Sequence, residues 1–127
     1  MKRIEKIEKF FKEVYIIDYS DCKEAEMIGL VTELKKQVVG EGRPILILSV
    51  FNDRCYITPK FMRHAEQQTR EALHLIEKQA MVGLSETKKI ILKGYNLLFR
   101  KNIKTFDNRE EAMAYLLDEN TTDKDGC

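Results

Sequence analysis

The residues able to do chemistry are few and scattered. Thr58 stands directly before Pro59, a pairing that starts a helix. A threonine hydroxyl can satisfy a free amide of the first turn, and proline at the first helical position is already in helical geometry. The amino end of a helix also favours an anion, so Thr58 is a candidate phosphosite as well as an N-cap. Asp18 and Asp53 fall at or just beyond apparent strand ends, where sites in open α/β sheets gather. A phosphoaspartate site would further need an acidic partner for magnesium and a lysine past a strand end. Asp21 is close to Asp18, but neither aspartate has an adjacent acid in a suitable loop and Lys104 lies within its strand, so Asp18 reads as a turn-forming strand terminus.

His64 and His74 are ten positions apart on one helical pattern, which separates them by about 15 Å and rules out joint chelation. His64 falls on the flank of the apolar face and His74 nearly opposite it. Cys55 lies beside Asp53 and Arg54 with no histidine locally tied to it, so it reads as an unremarkable thiol rather than a nucleophile. Cys22, Cys55 and Cys127 are odd in number and widely spaced, against a disulfide framework or a zinc site. Gly40 and Gly42 precede a strand rather than open a helix, so no phosphate-binding loop is present. No catalytic residue, metal or cofactor is predicted.

The elements that would carry these residues alternate. Val14 to Tyr19 is a β-branched and aromatic run ended by Ser20-Asp21, and reads as a buried strand. Met27, Val31, Leu34 and Val38 form a helical stripe that stops at Gly40-Glu-Gly42. Ile45 to Val50 is apolar on both faces, as in a covered parallel sheet. After the Thr58 start, Phe61, Ala65, Ala72, Leu73 and Ile76 share a helical face. Ala80 to Leu84 is a third strand, Thr87 to Arg100 a third helix and Ile103 to Asp107 a short edge strand. Asp107 or Asn108 then caps a last helix. Ile4, Ile7, Phe10 and Phe11 suit a helical period, but a strand pairing antiparallel with residues 14–18 would complete the sheet and is the expectation adopted. Right-handed crossovers then predict an α/β domain, a mainly parallel sheet of four to five strands covered by about four helices.

The combination of Tyr15-Ile-Ile-Asp-Tyr19, Tyr56-Ile-Thr-Pro-Lys-Phe-Met62, Val82-Gly-Leu84 with Lys88-Lys-Ile-Ile-Leu92, and Ile103-Lys-Thr-Phe-Asp107 with Glu110-Glu-Ala112 resembles the small bacterial STAS/CRAL-TRIO-like proteins of the SpoIIAA-like superfamily. The likeness runs from about Val14 to Leu117 and implies a single STAS-type domain over residues 1–119, followed by a polar tail, expected to be disordered, at 120–127. It implies anti-anti-sigma regulators, apolar-ligand binders or members of unknown role as the functional company; such inheritance is analogy. The Asp-Ser-Ser-Gly or Asp-Ser-Thr-Gly context of the phosphorylated anti-anti-sigma proteins is missing. Thr58, in Phe51-Asn-Asp-Arg-Cys-Tyr-Ile-Thr-Pro59, is the nearest positional match.

One surface stands out. At 100° per residue, Ile91, Leu92, Tyr95, Leu98 and Phe99 fall on one arc of the third helix, expected to cover the sheet. Ile90 and Leu97 fall opposite, with Lys89, Lys93 and Arg100 beside them. Residues 86–104 carry six lysines and arginines against one glutamate, and residues 107–125 seven acids against two bases. Three readings stay open: a solvated face neutralised by neighbouring acids, a site for an unknown protein partner or a second copy, and contact with an anionic lipid or acidic ligand.

Composition limits the rest. The formal net charge is +1, which disfavours nucleic acid as a partner. The charged amino terminus lacks a secretory core, and no apolar run approaches the roughly 20 residues of a membrane span. A cytoplasmic, non-catalytic binding or regulatory module is the expectation, with a carrier of a small apolar or lipid-like ligand as the alternative and an anti-anti-sigma-type switch a more distant one.

Overall fold

The computed structural model describes residues 3–118 apart from residues 56 and 100, so the expected tail at 120–127 lies outside the described residues. The chain runs β1 (Ile4–Lys9), β2 (Lys12–Asp18), α1 (Glu24–Glu41), β3 (Ile45–Val50), α2 (Pro59–Ala72), β4 (Ile76–Val82), α3 (Glu86–Phe99), β5 (Lys104–Phe106) and α4 (Arg109–Leu117). The strands form one sheet in sequential order, β1-β2-β3-β4-β5. The first pair is antiparallel, as expected for residues 1–13, and all later pairs are parallel.

Sequential order has a geometric consequence. Crossovers of one hand, each stepping to the next strand on the same side, lay their helices on one face. Accordingly Met27, Val31, Leu34 and Val38 of α1, Phe61 of α2, and Leu92 and Tyr95 of α3 share one core with Tyr15, Ile17, Ile45 and Ile47. The opposite face belongs to α4, whose Ala112 and Leu116 bury Val14, Leu46, Leu48, Ala80 and Val82. The central strand β3 therefore supplies side chains to both cores, as its unbroken apolar run predicts.

Local signals explain the helix ends. Thr58 caps α2, its hydroxyl accepting from the Phe61 amide at 3.1 Å, with Pro59 in the first turn. Asn108, rather than Asp107, caps α4 by accepting from the Glu111 amide at 2.9 Å. Gly42, at φ 66°, ends α1 and donates its amide to the Val38 carbonyl at 3.1 Å.

Two differences from the sequence reading bear on the architecture. The helical face expected through Leu73 and Ile76 stops at Ala72; a single 3-10 turn, Leu73–Leu75, intervenes, and Ile76 opens β4. The strand was hidden because Glu77-Lys78-Gln79 looks like a helix surface. Lys78 is instead buried, its ammonium donating to the Tyr115 and Asp118 carbonyls at the carboxyl end of α4 and lying 4.9 Å from the Tyr115 ring centre. A cation meets the negative end of a helix there, which makes an inward lysine tolerable.

The second difference concerns Phe10 and Phe11. They form the two-residue turn of the β1–β2 hairpin, at φ 52° and 64°, and both project into solvent. Positive φ at both positions is the geometry that Asn-Gly adopts without strain. In side chains with a Cβ it costs roughly 1–2 kcal/mol per residue.

Gly83, just past β4, has φ 85°, and a Cβ there would lie 1.9 Å from the Phe51 carbonyl oxygen. The Phe51 amide donates to the Val82 carbonyl at 2.9 Å, so the two segments cannot separate without breaking the sheet's end. At Gly42 the nearest atom would be 4.0 Å away. Gly42→Ala should therefore lose roughly 1–2 kcal/mol, the conformational cost alone, and Gly83→Ala should lose at least about 3 kcal/mol, with strain and clash combined. Urea unfolding of both variants measures the difference, and equal losses would refute the close approach.

Candidate functional site

The third helix touches the body through less of its surface than its sequence pattern implies. Leu92 and Tyr95 are buried as expected, and Lys88, Lys89 and Asn96 are partly covered beside them. Asn96 ties the helix to the segment leading into β5, its side-chain amide donating to the Ile103 carbonyl at 3.0 Å and its oxygen accepting from the Ile103 amide at 3.2 Å. Ile91 and Leu98, expected on the inward arc, are turned out: Leu98 is 74% exposed and Ile91 38%. The arc is narrower because α3 crosses near the sheet's edge, where only the three-residue strand β5 lies beyond β4. Phe99's side chain, placed on the same arc, lies outside the described residues.

Ile90 and Leu97 face solvent as the sequence reading has it, at 69% and 85% exposure. With Ile91 and Leu98 they make a double apolar row around Gly94, where a Cβ would meet nothing within 4 Å. The charged edge is thinner than expected. Lys89 is largely covered and lies 3.4 Å from Glu86 and 3.9 Å from Asp107, so neighbouring acids neutralise it. Lys93 is exposed, and Arg100 lies outside the described residues.

Beneath α3 is a cavity of about 70 Å³ between the sheet and α2. Phe51, Phe61, Met62, Met81, Leu84 and Leu92 provide much of its apolar wall. Tyr19 closes one end, stacked on Phe51 with ring centres 5.0 Å apart and meeting Phe61 edge-on at 5.6 Å. Ser49, Thr69, Gln79 and Tyr95 give it a few polar groups, and the Tyr95 and Thr69 hydroxyls are hydrogen-bonded to each other. The volume exceeds what one water needs. Lys88 sits on the rim, its ammonium donating to the Asn52 and Asp53 carbonyls at 3.2 and 3.4 Å, which latches α3 to the β3–α2 loop. No spacing in the sequence reveals this cavity, since Ser49, Thr69, Gln79 and Tyr95 come from four different elements.

Behind Tyr95, Glu66 is buried and gripped by Arg70, Nε to Oε1 at 3.1 Å. Burial, with the Glu66 charge adding to it, pushes the Tyr95 phenol up to about 12. Burial also lowers the Lys101 amine, against the opposing pull of Glu66.

The other candidates are engaged locally. The Thr58 hydroxyl, besides capping α2, donates to the Glu24 carboxylate, so a phosphoryl group there would meet a fixed negative charge. Asp18 accepts from the Ser20 amide at 2.9 Å and hydroxyl at 2.6 Å, the turn-forming role expected. Asp21 exchanges two hydrogen bonds with the Asn52 side chain, and Asp53 is exposed. His64 pairs with the Thr32 hydroxyl at 2.8 Å, and His74 is exposed. Cys55 is buried and donates its thiol to the Tyr19 carbonyl; Cys22 is buried too, and burial raises its thiol. Cys127 lies outside the described residues. Among the described residues no group of three His, Cys, Asp or Glu side chains is placed to hold a metal ion, and no helix is long and apolar enough to cross a membrane.

Compared with known family models, curated proteins and solved structures, the chain matches none.

Tyr95 makes the α2–α3 junction testable by pH. Its phenol is held neutral in the folded state above the ordinary value of 10, so its contribution to stability is whole below pH 10 and lost as pH rises through about 12. Tyr95→Phe should flatten stability loss between pH 10 and 12 in urea titrations. An alkaline limb identical to that of the wild type would show that Tyr95 is not what ionises.

Proposed function

We propose that the protein is a non-catalytic binding or regulatory module, an α/β domain of the SpoIIAA-like (STAS) type, that works through protein–protein contact on α3. The observation that carries this reading is the outward row of Ile90, Ile91, Leu97 and Leu98, four large apolar side chains left uncovered on one helix. Scattered apolar residues need no explanation, but a contiguous uncovered row marks a contact surface. Gly94 at its centre lets a second helix approach closely. The STAS assignment is supported by the alternation of strands and crossover helices from β2 onward, the arrangement that the sequence resemblance implies.

Leu97→Asp should abolish partner capture or self-association while leaving the fold nearly untouched, since the side chain contributes little to the core. A melting shift below about 4 °C is expected. Sedimentation across a concentration series and pull-down read the two forms of contact, and a variant that behaves like wild type in both would end the reading.

A second reading, carriage of a small apolar ligand, is favoured by the cavity under the same helix, whose largely apolar wall and few converging polar groups are the usual makings of a ligand site. Indole titrated into the wild type should shift the amide resonances of Thr69, Met81 and Tyr95. Ala65→Leu, which fills the space at an overpacking cost of about 1–3 kcal/mol, should abolish those shifts. If the wild type shows none, the cavity is only a packing gap.

A further inference from the structure

We propose that the β1–β2 hairpin tip, Lys9-Phe10-Phe11-Lys12, is a finger that inserts into an anionic lipid surface. Three independent observations converge on it. Phe10 is 71% exposed and Phe11 fully exposed, at the end of a two-residue turn that projects along the strand axis, away from the core. Both adopt positive φ, so two bulky side chains occupy positions that Asn-Gly would fill without strain; strained residues of this kind gather at working surfaces. Lys9 and Lys12 face each other across the pair, a like-charged juxtaposition that weakens a hairpin.

Further down the hairpin Lys6 pairs with Glu41, and Glu13 with Arg43 at 2.6 Å, which ties the strands to the end of α1 and the loop after it, while Glu5 and Glu8 are exposed and set back from the tip. Lys6 and Arg43 hold the Glu41 carboxyl down at about 2. Among the described residues, Lys9 and Lys12 enter no ion pair. Two lysines in no ion pair, placed at the very tip beside two exposed rings, match an anionic interface, with aromatic surface for the acyl boundary and ammonium groups for the headgroups. A protein partner would need a concave socket for a convex tip, whereas a fluid interface forms one around it.

The tip itself stands at the β1 edge, at the far side of the sheet from α3, and the proposal does not depend on the α3 reading.

Cosedimentation of the full chain with vesicles of phosphatidylcholine containing 30% phosphatidylserine tests it. Binding should be reversible, fall steeply with salt, and be at least tenfold weaker on pure phosphatidylcholine. Phe10→Asn with Phe11→Gly should reduce binding at least tenfold yet raise the melting temperature, because the turn strain is relieved; a purely structural role would lower both. Lys9→Gln with Lys12→Gln should weaken binding and flatten its salt dependence. Leu97→Asp should bind as the wild type does. The proposal is overturned if the wild type does not bind at low salt, or if the Asn-Gly variant binds unchanged. Loss confined to Leu97→Asp, which would move the lipid surface to α3, overturns it too. So would lipid-free self-association that the Asn-Gly variant abolishes, since the tip would then be an interface between copies.

Discussion

The sequential pairing of parallel strands around β3 is the constraint on which the other features depend. Because each crossover steps to the adjacent strand in the same direction, three helices are committed to one face, and the other must be covered by the chain beyond the last strand. That leaves nine residues of α4 to shelter Val14, Leu46, Leu48, Ala80 and Val82. Lys78 makes this workable by reaching from β4 to the carbonyls at the end of α4. Sequential order also denies the sheet a point where strand order reverses, the usual place for a crevice at the carboxyl edge of an α/β sheet. Ligand space is displaced to the gap beneath α3, and contact space to outward surfaces.

The third helix is the least committed of the four. Burying a large apolar side chain is worth roughly 1.5–3 kcal/mol, and α3 places Leu92 and Tyr95 in the core while leaving Ile90, Ile91, Leu97 and Leu98 outside. The Lys88 latch and the Asn96–Ile103 bonds supply the remaining attachment at its two ends. A helix fastened at the ends, hollow beneath and apolar above is suited to respond to what binds on either side of it.

Much of the fold was legible because burial on both faces leaves a plain mark. The apolar run of β3 and the spacing of Met27, Val31, Leu34 and Val38 could be read directly, as could the Thr58-Pro59 start. The beginning of β4 was illegible because Lys78 is buried by virtue of carbonyls some forty positions away, which no local period can report. Ile91 and Leu98 were misplaced because an angular plot assumes a sheet wide enough to meet the whole arc. Phe10 and Phe11 fitted a helical period, and only the pairing of β1 with β2 puts them at a turn. The cavity was invisible for a further reason: its polar groups meet only once four elements are assembled.

The two edges of the sheet carry a consequence of their own. The outermost strand on one side alternates its half-buried Ile4 and Ile7 with the exposed charges Glu5, Lys6, Glu8 and Lys9, and on the other side β5 is only three residues long. Charged or very short borders discourage another chain from adding a strand. The borders thus disfavour growth by hydrogen-bonded extension, and contacts made through side chains instead can be formed and released without remodelling the sheet.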